Sequence, residues 1–314
     1  MTIYVLRRVV GVVPVLILVA LGSFLLVHLV PGDPAMVMLG SDATPQQIQT
    51  LRTQMGLDRS LPEQFLIWMR HALRGDLGES FFLGRPVTQA LMERLPATMQ
   101  LAVLSLFFSL LIGVPAGILA SVRQNSRWDQ LVMVTAMGGI SVPSFWLGLF
   151  LILIFSVHLG WLPSGGYVPI WEEFGPGLRV LILPAISLGF MQAALIARMT
   201  RSSMLEVLRQ DFVRTAKAKG LGWWRVTLRH ALKNAMIPVI TTIGTAFGVL
   251  LGGAVIVEIV FTYPGLGRLV VLAVQRRDYP LVQGALLLTS VIYVAVNLAV
   301  DLLYSVFDPR IKYE

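Results

Sequence analysis

Arg198 to Asn234 reads RMTRSSMLEVLRQDFVRTAKAKGLGWWRVTLRHALKN, with a long apolar run on either side. Nine of these residues are Lys or Arg (Arg198, Arg201, Arg209, Arg214, Lys217, Lys219, Arg225, Arg229, Lys233), and only Glu206 and Asp211 oppose them. Short cationic loops between spans stay on the cytoplasmic side of a membrane. The segment is therefore expected to fix the topology of everything around it.

Composition agrees with a membrane setting. Of 314 residues, 56% are hydrophobic and 13% charged, against roughly 25% charged in a soluble domain. Six apolar runs, at about 9–30, 99–122, 131–157, 178–199, 235–261 and 281–307, are long enough to span a bilayer. The expectation is an all-α polytopic membrane protein with six transmembrane helices. The first run follows Arg7 and Arg8, exceeds a signal-peptide core and ends in His28-Leu29-Val30-Pro31, so it reads as an uncleaved anchor. Six spans put both termini on one side. Placing that side in the cytoplasm gathers 15 of the 25 cations there. The net charge of +8 thus follows topology and gives no pointer to nucleic acid.

Residues 31–97 form more than a connector. Thr44-Pro45-Gln46-Gln47 offers a cap, a first-turn proline and a glutamine placed to close a capping box. Ile48, Leu51 and Met55 follow at helical spacing and Gly56 can stop the helix. Ser60-Leu61-Pro62-Glu63 repeats the start, with Phe65, Leu66, Met69 and Leu73 behind it and Gly75 as the stop. Two amphipathic helices make a small extracytoplasmic cap, seated on the outer mouth or on the bilayer surface. Pro14, Pro115, Pro143, Pro184 and Pro238 fall in or beside the spans, and Gly138-Gly139 and Gly252-Gly253 cluster within them. These suit close packing and kinks, or kinked helices that line a pathway.

Several chemistries have no carrier here. There is no G-x-x-x-x-G-K-[ST] loop to cradle phosphate, so no self-contained ATPase is expected. Cysteine is absent, and the four histidines (His28, His71, His158, His230) lack ligand spacing, so no metal site is expected. No span pairs two carboxylates and no Gly-x-Ser-x-Gly elbow occurs, so no catalytic residue and no bound cofactor is assigned. Glu258 and Asp301 lie near the ends of the fifth and sixth runs, where a proton relay at membrane depth finds little support.

Inside the basic loop, Asp211 is expected to cap a helix over Phe212–Lys219, with Gly220 as its left-handed stop. Ala216 and Ala218 leave room for a partner to approach, and Arg214, Lys217 and Lys219 can pair with its acids. The alternative is a basic helix lying on anionic lipid. Trp223-Trp224 would sit at interface depth.

This loop resembles the EAA motif of bacterial ABC importer permeases in its dipeptide, oligopeptide and nickel uptake form, which includes glutathione importers. D-F-V-R-T-A-K-A-K-G at Asp211–Gly220 and R-H-A-L-K-N-A at Arg229–Ala235, then Pro238, carry the likeness; Arg214 stands where the general motif has Glu. Further matches run along the whole chain. They are Pro31-Gly32-Asp33-Pro34, Gly56-Leu57-Asp58, Gly75-Asp76-Leu77-Gly78, Leu95-Pro96-Ala97-Thr98, Ser141-Val142-Pro143-Ser144-Phe145 and Gly160-Trp161-Leu162-Pro163. Glu258 with Phe261, then Pro264-Gly265-Leu266-Gly267, Arg277-Asp278-Tyr279-Pro280 and Asp308-Pro309-Arg310, complete them.

The resemblance implies a type I importer fold, divided into an anchor (1–30), an outer cap (31–97), a permease domain (98–307) with its coupling loop at 200–234, and a tail (308–314). It implies a heterodimer with a second homologous permease, two ABC ATPase subunits that use ATP and Mg, and an extracytoplasmic substrate-binding protein, in the bacterial inner membrane with both termini cytoplasmic. Peptides are the expected cargo, with nickel, a nickel chelate or glutathione as alternatives; a stand-alone secondary transporter is the alternative class. Contact with the ATPase falls to Arg214, Thr215, Ala216, Lys217, Lys219 and Gly220. The pathway candidates are Ser141, Pro143, Ser144, Gln192 and Glu258, and the outer-face motif is Phe261, Pro264, Gly265 and Gly267.

Overall fold

In a computed structural model of the chain, residues 2–29, 34–39, 43–54 and 56–307 are described. Pro31-Gly32-Asp33, Met55, Asp308-Pro309-Arg310 and the Asp301 side chain, which the sequence singles out, lie outside the described residues. Two compact units emerge, Met1–Pro96 with Gly265–Val294, and Ala97–Pro264 with Ala295–Glu314.

The first unit opens with α1 (Thr2–Leu29), followed by the short helices α2 (Pro34–Leu39), α3 (Pro45–Gln54) and α4 (Leu61–Ala72). Both expected helix starts are present. The Thr44 amide donates to Gln47 Oε1 at 2.8 Å and the Gln47 amide to Thr44 Oγ1 at 3.4 Å. The Ser60 amide donates to Glu63 Oε2 at 3.3 Å. Gly56 (φ 67°) and Gly75 (φ 81°) make the left-handed stops. Helix α4 packs on the end of α1: the Phe24 ring lies 5.4 Å from that of Phe65, and His28 Nε2 lies 3.1 Å from Gln64 Oε1.

A two-stranded hairpin, β1 (Glu79–Ser80) against β2 (Arg85–Pro86), then leads into α5 (Val87–Val122). Helix α12 (Leu266–Gln275) and the start of α13 (Tyr279–Phe307) complete this unit. Val87, Ala90, Leu91, Leu266, Leu269, Ala273, Leu281 and Ala285 form its core. Buried Asp278 ties it together, accepting from Ser80 Oγ at 2.5 Å, the Phe82 amide at 3.1 Å and the Leu281 amide at 3.3 Å. A cavity of about 540 Å³ beside α4 is walled by Phe24, Trp68, Tyr279 and Pro280.

The second unit holds the rest of α5, α6 (Arg127–Ser141), α7 (Ser144–Leu151, continued as a π turn over Ile152–His158) and α8 (Phe174–Leu208). The basic loop follows with α9 (Asp211–Ala218). Helix α10 (Trp223–Arg225) then runs through a π turn (Val226–Ala231) into α11 (Leu232–Val260). Helices α5 and α8 meet backbone to backbone. A Cβ on Gly113 would stand 2.6 Å from the Ala193 carbonyl oxygen, and one on Gly117 2.5 Å from that of Ala197. Small residues four apart permit that approach between spans.

Four described helices are long and apolar enough to cross a membrane: Val87–Val122, Phe174–Leu208, Trp223–Val260 and Tyr279–Ala299. In the first run, Val10–Leu26 is a shorter apolar helix. The third run departs from the single helix expected over 131–157. It is a pair, Arg127–Ser141 and Ser144–His158, bent by 103°, and counts as a fifth crossing only if taken together. Val142 before Pro143 is extended (φ −85°, ψ 120°), because a residue preceding proline is pushed out of the helical region.

Candidate functional site

The basic loop is a packed structure. Val213 and Ala216 of α9 point inward onto Met204 and Val207 at the end of α8 and onto Val226, Ala231 and Ala235 of the returning helix. Helix α9 is thereby packed against the ends of two long apolar helices. Gly220 (φ 77°) ends it, with the Leu221 amide reaching the Ala216 carbonyl at 3.3 Å. Asp211 corrects the expected cap: Gln210 holds that position without a side-chain bond, and Asp211 is the first helical residue. Its carboxylate still suits the positive end of the helix and lies 3.5 Å from Arg214 Nη1, an exposed pair of little energetic weight.

Ala216 is likewise corrected. It is 8% exposed and offers nothing to an incoming surface. The outward face of α9 consists of Phe212, Arg214, Thr215, Lys217, Ala218 and Lys219, leading to exposed Gly220. Five of the six expected contact residues therefore lie on the surface.

The root of the loop is braced by an ion pair the sequence reading did not find. Arg201 Nε and Nη2 donate to Asp129 Oδ1 and Oδ2 at 2.5 and 2.7 Å. Asp129 also accepts the Asn125 amide at 2.9 Å and is 3% exposed. Seventy-two residues separate the partners, so no local pattern could have paired them. This fork ties the first turn of α6 to α8, three helical positions before Met204.

Four of the five pathway candidates come together. Ser141, Pro143, Ser144 and Gln192 line one cleft of about 230 Å³ with Leu188, Leu250 and Gly253. The break between α6 and α7 forms its lip, the kind of irregular backbone that membrane proteins place only beside a cavity or protein. Gln192 is 3% exposed. Most of the wall is apolar, so this cleft could hold a solute loosely and without a fixed charge. Glu258 is not in it. It is fully buried, and Thr98 Oγ1 donates to its Oε1 at 2.6 Å. That hydroxyl comes from the neighbouring helix, so the bond links α5 to α11.

The outer-face motif is structural in its details. Phe261 is 1% exposed, and a Cβ on Gly165 would stand 2.3 Å from its carbonyl oxygen. Pro264 is half-buried. In the other unit, Gly265 caps α12 and Gly267 is buried in its first turn.

Comparison with known proteins follows the same outline. Residues 113–313 match the family model described as binding-protein-dependent transport system inner membrane component, and residues 1–102 match the model of its N-terminal part. A Brucella abortus protein, provisionally named a peptide transport system permease, is 45% identical over 100% of both chains. The glutathione transport system permease GsiC of Shigella flexneri is 45% identical over 99% of both chains. Among solved structures, the inward-facing MetNI methionine ABC transporter aligns with a TM-score of 0.58 at 21% identity, over 70% of this chain and 97% of that one. The match to MetNI fixes the fold, that of an ABC importer permease, and the sequence matches fix the membership: this chain belongs to the family of binding-protein-dependent transport system inner membrane components.

Proposed function

We propose that the chain is one permease subunit of an ATP-driven importer of short peptides. It works with a second, homologous permease, two cytoplasmic ATPase subunits that consume ATP and Mg, and an extracytoplasmic binding protein. The observation that carries this is likeness across the entire chain to permeases named for peptide and for glutathione, itself a tripeptide. The packed basic loop supports the division of labour. It offers an exposed cationic helix to a partner while the chain itself has no phosphate-cradling loop.

In this reading six spans cross the inner membrane with both termini and the basic loop in the cytoplasm, and residues 31–97 form the outer cap. Closure of the ATPases around ATP displaces α9. Because Val213 and Ala216 are buried against α8 and α11, the displacement reaches both long helices. The cleft at Ser141, Ser144 and Gln192 then switches its access. Any ligand drives such a switch only through unequal affinity for the two states. ATP and the loaded binding protein therefore both favour the outward-open form.

The substrate test is competition. The complete importer in proteoliposomes, supplied with its binding protein and labelled dipeptide, is expected to lose labelled uptake when unlabelled di- or tripeptides are added. Competition by nickel or a nickel chelate, with none by peptides, would overturn the peptide reading.

A further inference from the structure

Trp223 and Trp224 are 45% and 68% exposed, stacked edge to face with centroids 4.8 Å apart. On composition alone they belong at the membrane interface. Helix length argues otherwise. Trp223–Val260 is one continuous helix of 38 residues. From Ala235 to Val257 it carries no charge over 23 residues, about 35 Å at 1.5 Å per residue, already enough for the roughly 30 Å hydrocarbon core. The apolar boundary therefore lies at or beyond Ala235. The pair precedes Ala235 by 11 and 12 residues, about 16–18 Å along the axis; at a 40° tilt the core takes about 26 residues, which moves the boundary back to about residue 232 and still leaves about 9–10 Å. A headgroup layer is only about 5–8 Å deep. Both indoles thus stand beyond the lipid, where an exposed apolar patch marks a protein contact.

Their placement relative to α9 is fixed. Val226 and Ala231, just after the pair, share the buried cluster that holds Val213 and Ala216. Leu228 (46% exposed) extends the apolar patch, while Arg225, Arg229 and Lys233 border it. Among the described residues none of these three cations has an ion pair. An apolar centre with a cationic rim fits a protein surface that has an apolar recess edged by Asp or Glu.

We propose that Trp223 and Trp224 form a second foothold for the same cytoplasmic ATPase subunit that receives α9. This rests on the coupling role given to α9 above. Two contacts joined through one buried cluster would grip the loop against rotation, so that α9 transmits thrust to α8 and α11 instead of rolling in its groove.

The test places a photo-crosslinking benzoylphenylalanine at Lys217, or separately at Trp224, in the complete importer in native membranes. Crosslinks from both positions to the ATPase are expected. A crosslink from position 217 to the ATPase, with position 224 reaching only lipid or the second permease, overturns this proposal and leaves the coupling reading standing. Absence of ATPase crosslinks at both positions overturns both. As a second readout, Trp223→Gln with Trp224→Gln should weaken ATPase retention at least tenfold in washed membranes, with amide exchange in α9 unchanged. Retention equal to wild type would overturn the second foothold.

Discussion

Ala216 and Lys217 are neighbours in sequence that face opposite ways, so one change, to Glu, separates folding from coupling. At 216 the new side chain enters a site 8% exposed among Met204, Val207, Val226 and Ala235. Overpacking costs about 1–3 kcal/mol. Burial raises a carboxyl pKa by several units, and three units correspond to about 4 kcal/mol. Together these give about 5–7 kcal/mol, a large part of the roughly 5–15 kcal/mol that keeps a domain folded. Ala216→Glu is therefore expected to loosen the loop, seen as faster amide hydrogen exchange across α9 in the purified permease. Lys217 is exposed, and among the described residues it has no ion pair. Lys217→Glu should cost within about 0.5 kcal/mol and leave exchange unchanged. In the proposed coupling role it reverses a charge offered to the ATPase, so ATP-driven uptake should fall at least tenfold, about 1.4 kcal/mol of lost contact. Wild-type exchange in Ala216→Glu would refute the packing argument. Full uptake in Lys217→Glu would refute the role of the outward face.

Gly117→Val should separate α5 from α8, since even a Cβ would meet the Ala197 carbonyl oxygen at 2.5 Å; a melting temperature equal to wild type would contradict that close crossing. Glu258→Gln keeps an acceptor for Thr98 Oγ1, so uptake and its insensitivity to protonophores are expected to persist; loss of uptake with intact folding would restore a proton-relay role. A cysteine at Gln46, in a chain that has none, should react with an impermeant thiol reagent in intact cells. Reaction only after lysis would reverse the topology.

Local signals in the sequence translated directly. Thr44 with Gln47, Ser60 with Glu63, and Gly56, Gly75 and Gly220 each act through bonds or backbone angles within a few residues, and each is where the pattern placed it. Long-range pairing left no such trace: Asp129–Arg201 and Ser80–Asp278 join residues 72 and 198 apart. Other signals were present but outweighed. Ser141-Val142-Pro143-Ser144 reads as a kink within a long apolar run, yet it is a full break, and the apolar count hid it. Helix α12 was concealed by the glycines and proline before it, which signal a turn. Gly113 and Gly117, four apart in an apolar run, carried a legible sign of close helix crossing. At Ala216 the residue type alone is ambiguous, because a small residue suits a tight partner interface and a tight internal core equally well. The spacing of Val213 and Ala216, three apart on one helix face, is what separates those two cases.

In the proposed mechanism ATP hydrolysed on a partner, and not an ion gradient, drives solute through this permease. Proteoliposomes holding both permeases and both ATPase subunits, with ATP and Mg enclosed on the ATPase side and labelled dipeptide on its binding protein outside, test it directly. Accumulation against a gradient is expected, persisting with a protonophore and stopping when ATP is replaced by a non-hydrolysable analogue. Accumulation without ATP, driven by an imposed proton gradient, would contradict it.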